Sequence, residues 1–207
     1  MLVKQLRGFT LVELVVVMAI IGILAVLSLP SFNTWLADSR IRTVAEALQN
    51  DLRKAQNEAV RRNRQVAFVL TNSNPTVANP SSVANATGRN WVTYALPLLG
   101  SIEGVASSAG ASSFIQANIQ VSNSDTNVTG DAAAVCFNSV GRLVTQSTAI
   151  ADAGGATCSA PTTTNPIAFN IQNASAERPL RVLLQLGGQI RMCDPNKSLS
   201  THPDGCN

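Results

Sequence analysis

Along this chain the spacing of apolar residues changes twice, and each spacing predicts a different element. From Phe9 to Leu29 there are 21 residues, and only Glu13 among them is charged. A helix that crosses a bilayer needs about 20 apolar residues, so the run predicts a membrane-spanning helix over 9–30. Pro30 closes it. A proline inside a helix has no N–H to give and clashes with the preceding turn, which predicts a kink there. Over residues 31–65 the apolar positions thin to Ile41, Val44, Ala45, Leu48, Leu52, Ala55 and Ala59. That is the three-to-four spacing of an amphipathic helix with one buried face. Asp38 with Arg42, and Glu58 with Arg62, stand at i,i+4 with the acid first, the favourable order. The two halves predict one bent rod.

After Arg64 the helical spacing is lost. Short β-rich runs follow at Gln65–Thr71, Trp91–Leu99, Phe114–Val121, Ala133–Phe137, Arg142–Thr145, Ile167–Gln172, Arg178–Leu186 and Gln189–Cys193. Pro97 demotes the end of its run to an edge or bulge. Polar stretches at 72–90, 100–113, 122–131 and 147–166 predict loops and turns. Asn138-Ser139-Val140-Gly141 reads as a hairpin turn, and Gly187-Gly188 as a two-residue turn. One long helix followed by short antiparallel strands predicts an α+β fold, with a β-rich domain over 66–207 whose sheet packs on the helix stripe. That domain is long enough for one core.

The polar exceptions in the N-terminal run carry the first functional signal. Lys4 and Arg7 precede it, and positive flanks are retained in the cytoplasm, which puts the rest of the chain outside. The run is longer than the apolar region of an ordinary removable signal, and no convincing cleavage site follows it. The small residue lies on the other side, as Gly8. Cleavage there leaves the whole helix on the mature chain, with a new amine at Phe9. An acid within a span costs roughly 2.5–3.5 kcal/mol near its centre and is a functional hypothesis by default. Glu13 lies five residues into that mature chain, within reach of such an amine.

Arg7-Gly8-Phe9-Thr10-Leu11-Val12-Glu13, with the apolar run and Pro30 behind it, resembles the class III signal of type IV prepilins and type II secretion pseudopilins. The resemblance implies a leader over 1–8, cleavage after Gly8 by a prepilin peptidase, and N-methylation of Phe9. It also implies that Glu13 pairs with the Phe9 amine of a neighbouring subunit during assembly.

Composition narrows the class. Charged residues are 13% and aromatics 4%. The formal charge of +3 includes Lys4 and Arg7; without them 13 basic residues face 12 acidic ones. Charge is weak support for an anionic partner. Arg53, Lys54, Arg61, Arg62 and Arg64 cluster near the helix end, as a solvated face that suits the macrodipole or as a contact in an assembled filament. Cys136, Cys158, Cys193 and Cys206 are an even number in an exported domain, hence disulfides. Three connectivities exist; Cys136–Cys158 and Cys193–Cys206 are favoured because each closes a loop of Gly, Ser, Thr, Asn and Pro. His202 is the sole histidine and no C-x-x-C occurs, so neither metal nor cofactor is expected. No nucleophile motif or phosphate loop points to an enzyme.

Two further stretches carry a second resemblance. Val182 to Pro195 resembles the C-terminal hairpin of the GspH/FimT family, and Cys136-Phe137-Asn138-Ser139-Val140-Gly141-Arg142 resembles its internal Phe-x-x-x-Gly-Arg turn. The family implies a minor pilin or minor pseudopilin, at or near a filament tip, with other major and minor pilins as partners. It implies residence in the bacterial inner membrane as a single-pass protein with a periplasmic domain, then passage to the pilus at the cell surface. Some members bind DNA through a Gly-Arg-x-Arg motif at this hairpin. Here Gln189 replaces the first arginine and Arg191 remains. Phosphate binding scales with the number of positive contacts, so one arginine is a small footprint. Arg142, Arg178, Arg181 and Lys197 supplement it only if the fold gathers them; the bland alternative makes Arg191 an exposed strand residue. Three readings follow: a minor pilin of a type IV pilus, a minor pseudopilin of a type II secretion system, and a DNA-binding minor pilin for DNA uptake.

Overall fold

The computed structural model describes residues 8–97, 114–120 and 125–206, leaving aside the side chains of 26–31. The expectations for Lys4 and Arg7, for the kink at Pro30, and for 98–113 and 121–124 lie outside them. The first element, α1, is one helix, Leu11–Arg62. Thr10 caps its start: with extended φ and ψ, its Oγ1 accepts from the Glu13 N–H at 3.3 Å. Asn63 ends it in the left-handed conformation, its N–H bonded to the Ala59 and Val60 carbonyls. The helix therefore stops three residues short of 65, because a left-handed residue at C′ turns the chain out of the helical path.

Eleven strands are described after it. Sheet A has β1 (Val66–Thr71), β2 (Asn90–Ala95), β3 (Phe114–Asn118), β5 (Ala134–Phe137) and β6 (Leu143–Val144), in the order β3-β2-β1-β5-β6. Sheet B has β4 (Thr126–Gly130), β9 (Ile167–Asn173), β10 (Leu180–Leu184) and β11 (Ile190–Cys193), in the order β11-β10-β9-β4. A small pair, β7 (Gln146–Ile150) with β8 (Ala156–Cys158), lies against sheet A. The paired strands within these sheets run antiparallel. The fold is α+β, a long N-terminal helix packed on antiparallel sheets.

The helix stripe fills the seam between the two large sheets. Ile41, Ala45, Leu48, Leu52, Ala55 and Ala59 are buried there with Phe68, Trp91, Phe137, Phe169, Ile171 and Leu184. Phe68 is the hinge of that packing: its ring meets Trp91 at 6.3 Å and Phe169 edge-on at 6.4 Å, aromatic geometries favoured by ring quadrupoles. The opposite face of sheet A is also covered. Ala67, Val69, Val92, Tyr94, Cys136, Ile150 and Cys158 form a second cluster beneath β7 and β8. Buried on both faces, every residue of β1, β2 and β5 is inaccessible.

Several expectations are corrected. The described residues form two main sheets rather than one. The polar stretch 122–131 contains β4, whose sequence TNVTG carries one large apolar residue but buries alternate positions against β9. Residues 147–166 are not one loop, since β7 and β8 pair within them. The strand expected over Trp91–Leu99 is β2, which ends at Ala95, before Pro97, and has neighbours on both sides. The Gly187-Gly188 turn is longer than two residues: the Gln185 N–H donates to Gln189 O, and Gly188 closes the turn with φ 87°. Asp38 does not pair with Arg42. Its Oδ1 accepts the Glu177 and Arg178 backbone N–H groups, each at 3.0 Å, while Arg42 bonds Glu46 at 2.8 Å. A long-range contact that satisfies two N–H groups outcompetes an exposed i,i+4 pair of a few tenths of a kcal/mol. Glu58 does hold Arg62, at 2.6 Å, and Arg61 at 2.7 Å.

Candidate assembly surface

The N-terminal part of α1 stands clear of the domain. From Gly8 to Ala25 every described residue is exposed, apolar ones included, and Phe9 is 86% exposed. Among the described side chains, the first buried one on the helix is Ala37. Exposed large apolar residues occur on all sides of this arm, unlike the single stripe of a surface helix. A surface this apolar marks contact with lipid or with protein. Among the described residues no helix is long and apolar enough to cross a membrane; the apolar run is described as far as Ala25 and continues beyond.

At the tip of the arm, Gly8 and Phe9 precede the helix, and a side chain at Gly8 would meet nothing within 4 Å. Glu13 is the third helical residue after the Thr10 cap. Thr10-Leu11-Val12-Glu13 therefore has the spacing of a capping box, and a carboxylate in the first turn is favoured by the helix dipole. A local role for Glu13 at the helix start thus stands beside the intersubunit role that the motif implies. The threonine three residues before the acid was the signal for it.

The four cysteines form two disulfides. Cys136 is bonded to Cys158, tying β5 to β8 under the second cluster. Cys193 is bonded to Cys206, closing a tail loop on β11. Arg191 supports that loop, its Nη2 donating to Pro203 O at 3.1 Å and Gly205 O at 2.6 Å. Arg181 lies on the same face of sheet B, its Nε donating to Asn170 Oδ1 at 2.7 Å. Arg142 is exposed in the turn between β5 and β6, beside the Gly188 turn and away from Arg181 at the other end of β10. The three arginines are not gathered into one patch.

The two turns that carry the second resemblance do meet. Gln56 of α1 donates through Nε2 to Gly141 O at 2.7 Å and to Gly188 O at 2.9 Å. A Cβ on Gly188 would lie 2.2 Å from Gly141 O, so glycine is demanded there by space as well as by φ. A second polar tie lies one turn earlier. Asp51 is 5% exposed, and its carboxylate accepts from Trp91 Nε1 at 2.9 Å, Gln116 Nε2 at 3.1 Å, Asn118 Nδ2 at 3.0 Å and Lys54 Nζ at 3.0 Å. Burial pushes the Asp51 carboxyl up, but the hydrogen bonds from Trp91, Asn118 and Lys54 outweigh it and hold the group below the usual carboxylate range. An acid at stripe spacing, between Leu48 and Leu52, was the signal that could have found this tie.

Beside α1 at Thr34–Arg42 lies a cleft of about 700 Å³, closed by the segment before β10, the near ends of β10 and β11, and the tail loop. Trp35, Leu180 and Met192 supply its apolar lining. Trp35 is 65% exposed and its ring lies 5.9 Å from that of Phe32, which is 58% exposed.

Residues 4–29 match the model of the prokaryotic N-terminal methylation motif, and residues 44–188 match that of the type II transport protein GspH. The chain is 34% identical over 106 residues to the type IV major fimbrial protein FimA of Dichelobacter nodosus, covering 47% of this chain and 67% of that protein. It is 41% identical over 49 residues to a fimbrial protein of Moraxella nonliquefaciens, 22% of this chain and 32% of that protein. Two crystal structures of the type IV minor pilin FimU of Pseudomonas aeruginosa are similar at 14% identity. Their TM-scores are 0.47 and 0.44, over 82% and 80% of this chain and 96% and 99% of theirs.

Proposed function

Because the chain belongs to the family of the type II transport protein GspH and carries a type IV pilin N-terminus, we propose that it is a minor pilin of a type IV pilus. It acts at or near the filament tip. Pilin-like proteins are structural subunits rather than enzymes. The observation that carries the reading is the arm: a helix apolar on every side, joined without interruption to a folded domain, with one acid in its first turn. In the bilayer, lipid covers that arm and a single span leaves the domain in the periplasm, an oxidising compartment that suits both disulfides. In the filament, the arms of other major and minor pilins cover it. Domain boundaries at 1–8, 9–30, 31–65 and 66–207 follow from that division of labour.

Prepilin peptidase cleaves between Gly8 and Phe9 and the new amine is methylated, so the mature chain begins at N-methyl-Phe9. Glu13 then meets the Phe9 amine of a neighbouring subunit, relieving the cost of an acid among apolar side chains. The test uses Glu13→Ala in a strain lacking the native copy. The precursor inserts, and mass spectrometry finds N-methyl-Phe9 at its start, but the subunit is lost from sheared pili. Incorporation at the wild-type level removes this role from Glu13.

The matched family model favours a second reading, a minor pseudopilin of a type II secretion system. Deletion separates the two: loss of pili supports the first, and loss of protein secretion with pili intact supports the second. For DNA uptake, Arg191 would have to leave Pro203 and Gly205, and Arg142 and Arg181 act from separate places.

A further inference from the structure

Outside Phe9, Phe32 and Trp35 are the exposed aromatic residues on the described part of the chain. Other exposed large apolar residues of the domain, such as Val77, Val83, Val140 and Leu199, are scattered through its sequence, and scattered single residues need no explanation. The aromatic pair differs in three ways. The rings touch, they share one helix face at i,i+3, and they lie between the apolar arm and the first buried residue, Ala37.

We infer that Phe32 and Trp35 seat the base of the domain in the headgroup layer of the bilayer before the subunit enters a filament. The inference rests on the reading that the run from Phe9 to Leu29 spans the membrane. At 1.5 Å per residue that run is about 31 Å long, the thickness of a hydrocarbon core. Phe32 and Trp35 lie about 4 and 9 Å further along the helix, and the polar layer on each side is about 5–7 Å thick. Helical side chains lean toward the N-terminus, so the Trp35 ring reaches back toward the lipid. Tryptophan is enriched at this depth because its ring is apolar and its indole N–H finds polar partners.

Charge gives the contact its lipid preference. Around the cleft beside Trp35, the bases Arg42, Arg178 and Lys197 stand among the acids Asp38, Glu177, Asp194 and Asp204. Lys197 bonds Asp204 at 2.5 Å and Arg42 bonds Glu46 at 2.8 Å. This base has no excess of positive charge to draw anionic lipid, unlike a polybasic membrane surface. The seat is aromatic, so it forms on zwitterionic phosphatidylcholine as well as on phosphatidylglycerol, and salt leaves it in place.

The full chain is reconstituted into phosphatidylcholine vesicles carrying a fluorescence quencher either beside the headgroup or at the chain end. Trp91 is buried in the domain, which leaves Trp35 as the accessible fluorophore. The expected result is strong quenching from the headgroup position, little from the chain end, and loss of the quenched component in Trp35→Phe. Replacing phosphatidylcholine by phosphatidylglycerol, or raising salt, leaves the pattern unchanged. An Ile20→Trp substitution, next to the middle of the span, in the Trp35→Phe background reports on the arm separately and is quenched from the chain-end position. If that reporter is quenched and Trp35 is not, the arm spans the bilayer but the seat is overturned. If neither is quenched, the spanning reading and the seat fall together. Quenching of Trp35 that requires phosphatidylglycerol and disappears in salt overturns the aromatic seat in favour of electrostatic docking.

Discussion

One helix, Leu11–Arg62, is used in two opposite ways. In its C-terminal half, apolar residues recur at three-to-four spacing, and the stripe from Ile41 to Ala59 finds cover within the same chain. In its N-terminal half they stand at nearly every position as far as Ala25, and all remain exposed. Propensity does not distinguish the halves, since both are helix. The difference lies in who supplies the cover. The inner stripe specifies the domain, whereas the arm specifies association, because its apolar surface has no partner within its own fold.

Paired truncations should separate the halves most sharply. Leu52→Ala removes a fully buried side chain between the two sheets, and should destabilise the domain by about 2–5 kcal/mol. Val16→Ala, on the arm, should leave thermal unfolding of the domain unchanged while weakening incorporation into filaments. Equal loss of stability from both would mean that the arm packs on its own domain. Gly188→Ala should come next, at about 1–3 kcal/mol, since φ 87° and the Gly141 carbonyl both resist a side chain. Chemical denaturation would measure it, and a neutral result would show that the turn on Gln56 yields freely.

The smallest effect concerns acid. Hydrogen bonds from Arg61 and then Arg62 hold the Glu58 carboxyl down at about 2. A depressed carboxylate contributes stability above its unfolded value, and that contribution fades as pH falls from about 4.5 toward 2. The pair is near the surface, so the contribution is below about 1 kcal/mol. Glu58→Gln should therefore flatten part of the fall in melting temperature across that window. An unchanged slope would assign the acid sensitivity to other carboxyls, Asp51 first.

What could be read in advance follows the same division. The helix stripe was legible because its period is local and seven positions repeat it. The first strand after it was legible because VAFVLT is rich in β-branched and apolar residues, and both its faces are covered. Strand β4 was not, because TNVTG relies on alternation against β9 rather than on apolarity. Strands β7 and β8 were hidden for a related reason: QSTAI is largely polar, ATC is three small residues, and Cys158 is tied to β5 by its disulfide. Asp38 and Asp51 show a further limit. Each acid has its decisive partners far away in sequence, Glu177 and Arg178 for one and Trp91, Gln116 and Asn118 for the other. Helical spacing alone predicts near neighbours and cannot rank them against such contacts.

The buried stretch of α1 from Ala37 to Ala59 is about 33 Å long. When a filament is pulled, tension enters each subunit through its arm and runs along this stretch, parallel to the seam between the sheets. The side chains lodged in that seam are then loaded side by side, in shear, instead of being peeled away one after another. The geometry that hides the stripe from water thus also makes the helix a cable anchored along its length, suited to a fibre that bears force.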